Sequence, residues 1–160
     1  ALLCLCQKQN NMKENWAIES ALKTLEKLSP EQTPVWGSMS AQRMVEHLTD
    51  VLRIATEKNK IDLLIPEDKV QKMQGFLESD KPMARDIQVP FATKEMKLRN
   101  SELETAIDEF IEEWCDFDAI FSEEDGKTSL HPYYGQLNYA QWNRLNDKHL
   151  NHHFEQFKLV

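Results

Sequence analysis

What the chain has little of bounds it first. Only 4 glycines and 6 prolines occur in 160 residues, too few turn formers for a many-stranded sandwich or barrel, so helices are favoured. Three cysteines, Cys4, Cys6 and Cys115, make no disulfide framework and fit a reducing, cytoplasmic setting. Cys4 and Cys6 are separated by one residue, where a redox or zinc pair uses two. Cys115 falls in a helical stretch and reads as a packed core thiol. No apolar run approaches the ~18–20 residues that span a bilayer. Basic residues are in deficit as well: 19 lysines and arginines against 27 aspartates and glutamates leave a formal net charge of -8. Such a surface repels phosphate backbones and anionic lipid, so neither nucleic acid nor membrane is a default partner.

What is present is ordinary for one globular domain: 41% hydrophobic and 29% charged residues, in a length that can bury a core of its own. Residues 1–11 are expected to be a disordered or non-native leader, leaving 12–160 as the domain. The apolar stretch Ala1 to Cys6 is too short for a secretory segment and lacks a basic flank, and Met12 can serve as a start.

Along that domain, apolar residues recur at helical spacing. Trp16, Ala17, Ala21, Leu22, Leu25 and Leu28 form one stripe, ended by Ser29-Pro30. A second helix, capped by Ser38 or Ser40, carries Met44, Leu48, Val51, Leu52 and Ala55 as far as about Glu57. A weaker element covers Pro66 to Leu77. From Ser79 to Asn100 the period is lost, which predicts a long connection with a short extended piece at Ile87 to Phe91; connections of that length are usually functional or crossovers. Ser101 to Glu104 reads as a capping box opening a helix that ends near Phe121, with Glu112, Glu113 and Asp116 as a solvated acidic face. His131-Pro132-Tyr133-Tyr134-Gly135 reads as an ordered aromatic loop. Asn138 to Gln141 is a second capping box, opening a last helix to about Phe157. Helices joined mostly by short loops predict an all-α bundle.

The histidines carry the chemistry. His149 and His153 are four residues apart, so their rings leave one helix face a turn apart and can grip one ion. Trp142, Leu145, His149, His153 and Gln156 share one arc, so the pair faces inward with the core. Inward imidazoles need partners for both ring nitrogens, and a metal satisfies one nitrogen on each. His47 lies beside Met44 and Val51 on the inner arc of the second helix and is a third candidate ligand. Three imidazoles leave a coordination position open to water or substrate, as catalytic sites do, whereas a structural zinc takes a fourth protein ligand. His152 turns toward the edge of the arc. A zinc-protease pattern is excluded because Leu150, not glutamate, follows His149. Di-iron bundles use Glu-x-x-His pairs on two helices, and this chain has one histidine-rich helix.

Three segments resemble the DinB-like (DinB/YfiT) superfamily: Trp36 through His47, His131 through Leu137, and Gln141-Trp142 through the block Lys148 to Phe157. The resemblance implies a four-helix bundle with a long crossover connection, and a divalent metal on His47, His149 and His153. It also implies a thiol-dependent transferase in which the metal activates a low-molecular-weight thiol. From the residues alone the expectation is a metal-dependent transferase or hydrolase with zinc, nickel or iron acting on a small molecule. The alternative is a non-catalytic metal-binding or oligomerisation bundle, and a homodimer is an open option. His131, Tyr133 and Tyr134 are the catalytic candidates, as acid, base or substrate contacts. Alternatively, His131-Pro132 simply sets a turn and the tyrosines pack over the end of the bundle.

Overall fold

Capping chemistry and proline positions place most of the helix ends. The computed structural model describes residues 15–87, 89–92 and 96–160; the expected leader, with Cys4 and Cys6, lies outside them. Helix α1 is Ile18–Leu25, shorter than its apolar stripe, with the Ser20 hydroxyl accepting the Ala17 amide at 3.2 Å. Helix α2 is Ala41–Ala55, and Ser40 caps it by accepting the Arg43 amide at 3.1 Å. Helix α3 is Glu67–Glu78, directly after Pro66. Helix α4 is Leu103–Glu123. Its predicted Ser101 capping box does not form. Glu102 holds the cap position without a side-chain bond, so Glu104 falls one residue short of the position from which it could reach back.

The expectation of an all-α chain is corrected by a hairpin. Strands β1 (Thr128–His131) and β2 (Gly135–Asn138) pair antiparallel, Thr128 with Asn138 and His131 with Gly135. Four-residue arms of this kind are marginal by themselves, and tertiary bonds hold this one. Ser129 is buried; its hydroxyl donates to the Ala55 carbonyl at 2.7 Å and accepts from Trp142 Nε1 at 2.9 Å. Gly135 has φ +72°, and a Cβ there would meet Val70 at 2.6 Å. Only glycine lets α3 approach the turn so closely. Helix α5, Tyr139–Gln156, follows at once, its Asn138–Gln141 capping box fully formed.

Residues 79–100 form the long connection expected. No strand occurs among its described residues, so the extended piece at Ile87 to Phe91 is not formed there. The connection is nevertheless tied down: Lys148 Nζ donates to the carbonyls of Ser79 and Lys81, each at 2.6 Å, and the Arg85 guanidinium sits 3.7 Å over the Trp36 ring.

Helix α2 packs most extensively on α4 and also touches α5. Met44, Leu48 and Leu52 of α2, Phe110 and Phe117 of α4, and Trp142, Leu145 and Phe154 of α5 are buried together. Each contributes roughly 1.5–3 kcal/mol of apolar burial, enough collectively to hold the inner faces of α2 and α5 against each other. No helix among the described residues is long and apolar enough to cross a membrane.

Candidate metal centre

The same burial that joins α2 to α5 brings three imidazoles together. His47 is carried inward with Met44 and Val51, while His149 and His153 follow Trp142 and Leu145 along the inner face of α5. All three are buried, at 8%, 8% and 5% exposure. His149 Nε2 lies 2.8 Å from His47 Nε2 and 3.0 Å from His153 Nε2, and one ligand atom from each ring lies within 4.8 Å of the other two. The cluster can hold a metal ion.

Proton bookkeeping explains why an ion suits it. A neutral ring nitrogen presents either one N–H or one in-plane lone pair, so His149 Nε2 can complete only one of its two contacts. Adding protons is no remedy. Burial, and then the neighbouring His153, Arg43 and His152, push the His47 imidazole well below its usual range. His149 is lowered in the same way, by burial and then by His47 and His153. Burial brings His153 down to about 4. Three neutral imidazoles can each offer a lone pair to one divalent cation: a tetrahedral zinc with bonds of about 2.0–2.1 Å spaces its nitrogens roughly 3.3 Å apart, a few tenths of an ångström wider than the two contacts of His149 Nε2.

The second nitrogens differ. His153 Nδ1 lies 2.7 Å from Gln156 Oε1, and the Gln156 amide nitrogen donates to the Trp36 carbonyl at 3.0 Å. That donation fixes the amide orientation, so the oxygen must accept from Nδ1–H, leaving Nε2 of His153 as a lone pair. Gly37, at φ +74°, keeps the turn after Trp36 close to this amide; a Cβ there would lie 3.2 Å from Gln156 Nε2. His47 Nδ1, in contrast, is buried with no hydrogen-bond partner among the described residues.

The cluster forms part of the wall of an open cavity of about 960 Å3. Met83, Ile87 and Phe91 of the connection line it, as do His131, Tyr133 and Tyr134. His131 is buried, its imidazole lowered by burial to about 3. Its Nδ1 accepts the Tyr133 amide at 3.0 Å, so the neutral ring carries its proton on Nε2. This makes His131 a donor rather than a base. His152, half-buried, borders the cavity beside Trp36 and bonds the Met83 backbone. The sequence had placed Gln156 on the inner arc, but its partnership with His153 and Trp36 was missed. It depends on a loop carbonyl that no periodicity reveals.

The family model described as "Protein of unknown function (DUF1569)" matches residues 10–159. The chain belongs to the DUF1569 family. No curated protein and no solved structure matches it. This corrects the resemblance to DinB-like proteins read from three segments, because the model that spans the chain is that of DUF1569. The low-molecular-weight thiol entered through that resemblance and loses its support with it. The three-histidine cluster of this DUF1569 chain stands on its own geometry.

Proposed function

We propose that this DUF1569 chain is a divalent-metal-dependent hydrolase acting on a small molecule, with His47, His149 and His153 as the metal ligands. The observation that carries the reading is the convergence of three buried imidazoles in the wall of an open cavity, with His149 Nε2 2.8 Å from His47 Nε2 and 3.0 Å from His153 Nε2. A bound ion would supply Lewis acidity and a water of lowered pKa at the open coordination position. Zinc is the first choice for three imidazoles, with nickel and iron as alternatives.

Gln156 orients His153, and the fixed tautomer of His131 suits it to donate a hydrogen bond to a developing oxyanion. Tyr134, whose hydroxyl is held protonated by burial, can donate beside it, and Tyr133 borders the same space. We read α1, α2, α4 and α5 as the four helices of a bundle, with α3 and the connection 79–100 as the crossover walling the cavity.

The test is zinc titration and elemental analysis of untagged protein, wild type against His47→Ala. One zinc per wild-type chain and none in a folded variant support the reading. Full metal content in folded His47→Ala removes it. A metal module without catalysis would bind zinc equally but show no zinc-dependent hydrolysis across a panel of esters and amides.

A further inference from the structure

We infer that the cavity takes a small molecule with an extended apolar body, its reactive end at the three histidines and any polar end at the rim. The inference rests on the metal reading above and adds the class of substrate. Its walls are mainly carbon: Met39, Met73, Phe76, Met83, Ile87 and Phe91 all line it. Ile87 is 66% exposed, an apolar side chain left in water that an occupant would cover. The three methionines are unbranched and polarizable, so they can follow the outline of more than one apolar shape.

Several polar groups inside are engaged by the protein itself. The Ser79 hydroxyl donates to the Phe76 carbonyl at 2.7 Å. Both ends of the Gln156 amide are used by His153 and Trp36, and His131 Nδ1 holds the Tyr133 amide. The lining groups with charge, Lys72, Lys81 and Asp86, are exposed. The groups left over, Trp36 Nε1 and the side chains of His131, Tyr133 and Tyr134, are fewer than the donors and acceptors a sugar or nucleotide would bury, each unmet one costing roughly 1–3 kcal/mol. An acyl chain or ring system would bury few. A volume of about 960 Å3 lies at the upper end of small-molecule pockets.

The experiment uses Nile red, an uncharged apolar fluorophore, titrated into the full chain with and without zinc. Saturable one-to-one binding with a blue-shifted emission is expected. Binding should weaken at least tenfold in Met73→Glu, in Phe91→Glu and in Ile87→Glu, with zinc stoichiometry unchanged. Ile87 is exposed, so its variant stays folded even if the others do not. Absence of saturable binding, or equal binding by wild type and Ile87→Glu together with the other folded variants, overturns the inference. The two readings fail separately. Zinc bound without the dye sinks this one alone; dye bound without zinc sinks the metal centre and keeps the apolar ligand class.

Discussion

Helix α2 buries polar groups on two of its sides, and the two clusters are completed in opposite ways. On one side Asp50 accepts from Arg43 at 3.0 Å and from Arg99 at 2.5 Å. Glu46, 1% exposed, accepts the Arg99 amide at 2.5 Å, and the Arg99 guanidinium continues to Glu109 at 2.7 Å. Acid meets base there, and the chain supplies both. On the other side His47 meets His149 and His153, three groups of one kind whose lone pairs compete for too few protons. Burying charge is tolerable when the partner is buried with it. Burying three identical groups together is tolerable when something from outside, such as a cation, can join them. The first cluster locks the end of the long connection onto α2. The second is the metal site we propose.

The comparison can be broken at either cluster. The largest effect belongs to Asp50→Ala, which removes the carboxylate paired with buried Arg43 and should cost about 3–5 kcal/mol in urea unfolding, with zinc affinity little changed; Asp50→Asn is the milder substitute. If zinc affinity fell in step, the clusters would be one unit. Next comes the metal itself: zinc at a hundredfold excess over its Kd should stabilise wild type by about 2.7 kcal/mol, and His47→Ala not at all, both read by thermal melting with and without chelator.

Smaller is the effect of Gln156→Leu, which frees the His153 ring and should weaken zinc binding roughly 10–100-fold. Gln156→Glu, keeping an acceptor for Nδ1–H, should retain most of the affinity, a rescue that a purely packing role for Gln156 does not predict. The smallest effect separates His131 from the cluster. Its folded value of about 3 lies below the ordinary 6.5, so the unfolded chain takes up a proton first as pH falls. Stability from this group is therefore full above about pH 6.5 and declines toward pH 3, by roughly 1 kcal/mol at pH 5.5. His131→Asn, which offers an uncharged acceptor to the Tyr133 amide, should remove that share of the acid sensitivity in denaturation measured at pH 7 and pH 5.5.

How much of this was legible differs by element. The α5 start was readable because Asn138 and Gln141 satisfy each other within one turn. The α4 start was misread because Ser101 has the right spacing, yet the helix begins one residue later than that box requires. The hairpin was read as a loop: four-residue strands carry almost no period, and the bonds that hold this one run from Ser129 to α2 and α5. The resemblance to DinB-like proteins rested on three short segments and gave way to a family match over residues 10–159.

By itself the sequence determined that His149 and His153 share one face of a helix and that His47 sits on the inner arc of another, since helical periodicity is local and needs no partner. Tertiary structure alone decided that these arcs meet with His47 and His149 nitrogens 2.8 Å apart, that Gln156 is held by the Trp36 carbonyl, and that Met83, Ile87 and Phe91 of the long connection wall a cavity beside them. Those facts depend on contacts between residues distant in the chain, set by packing that no single stretch encodes.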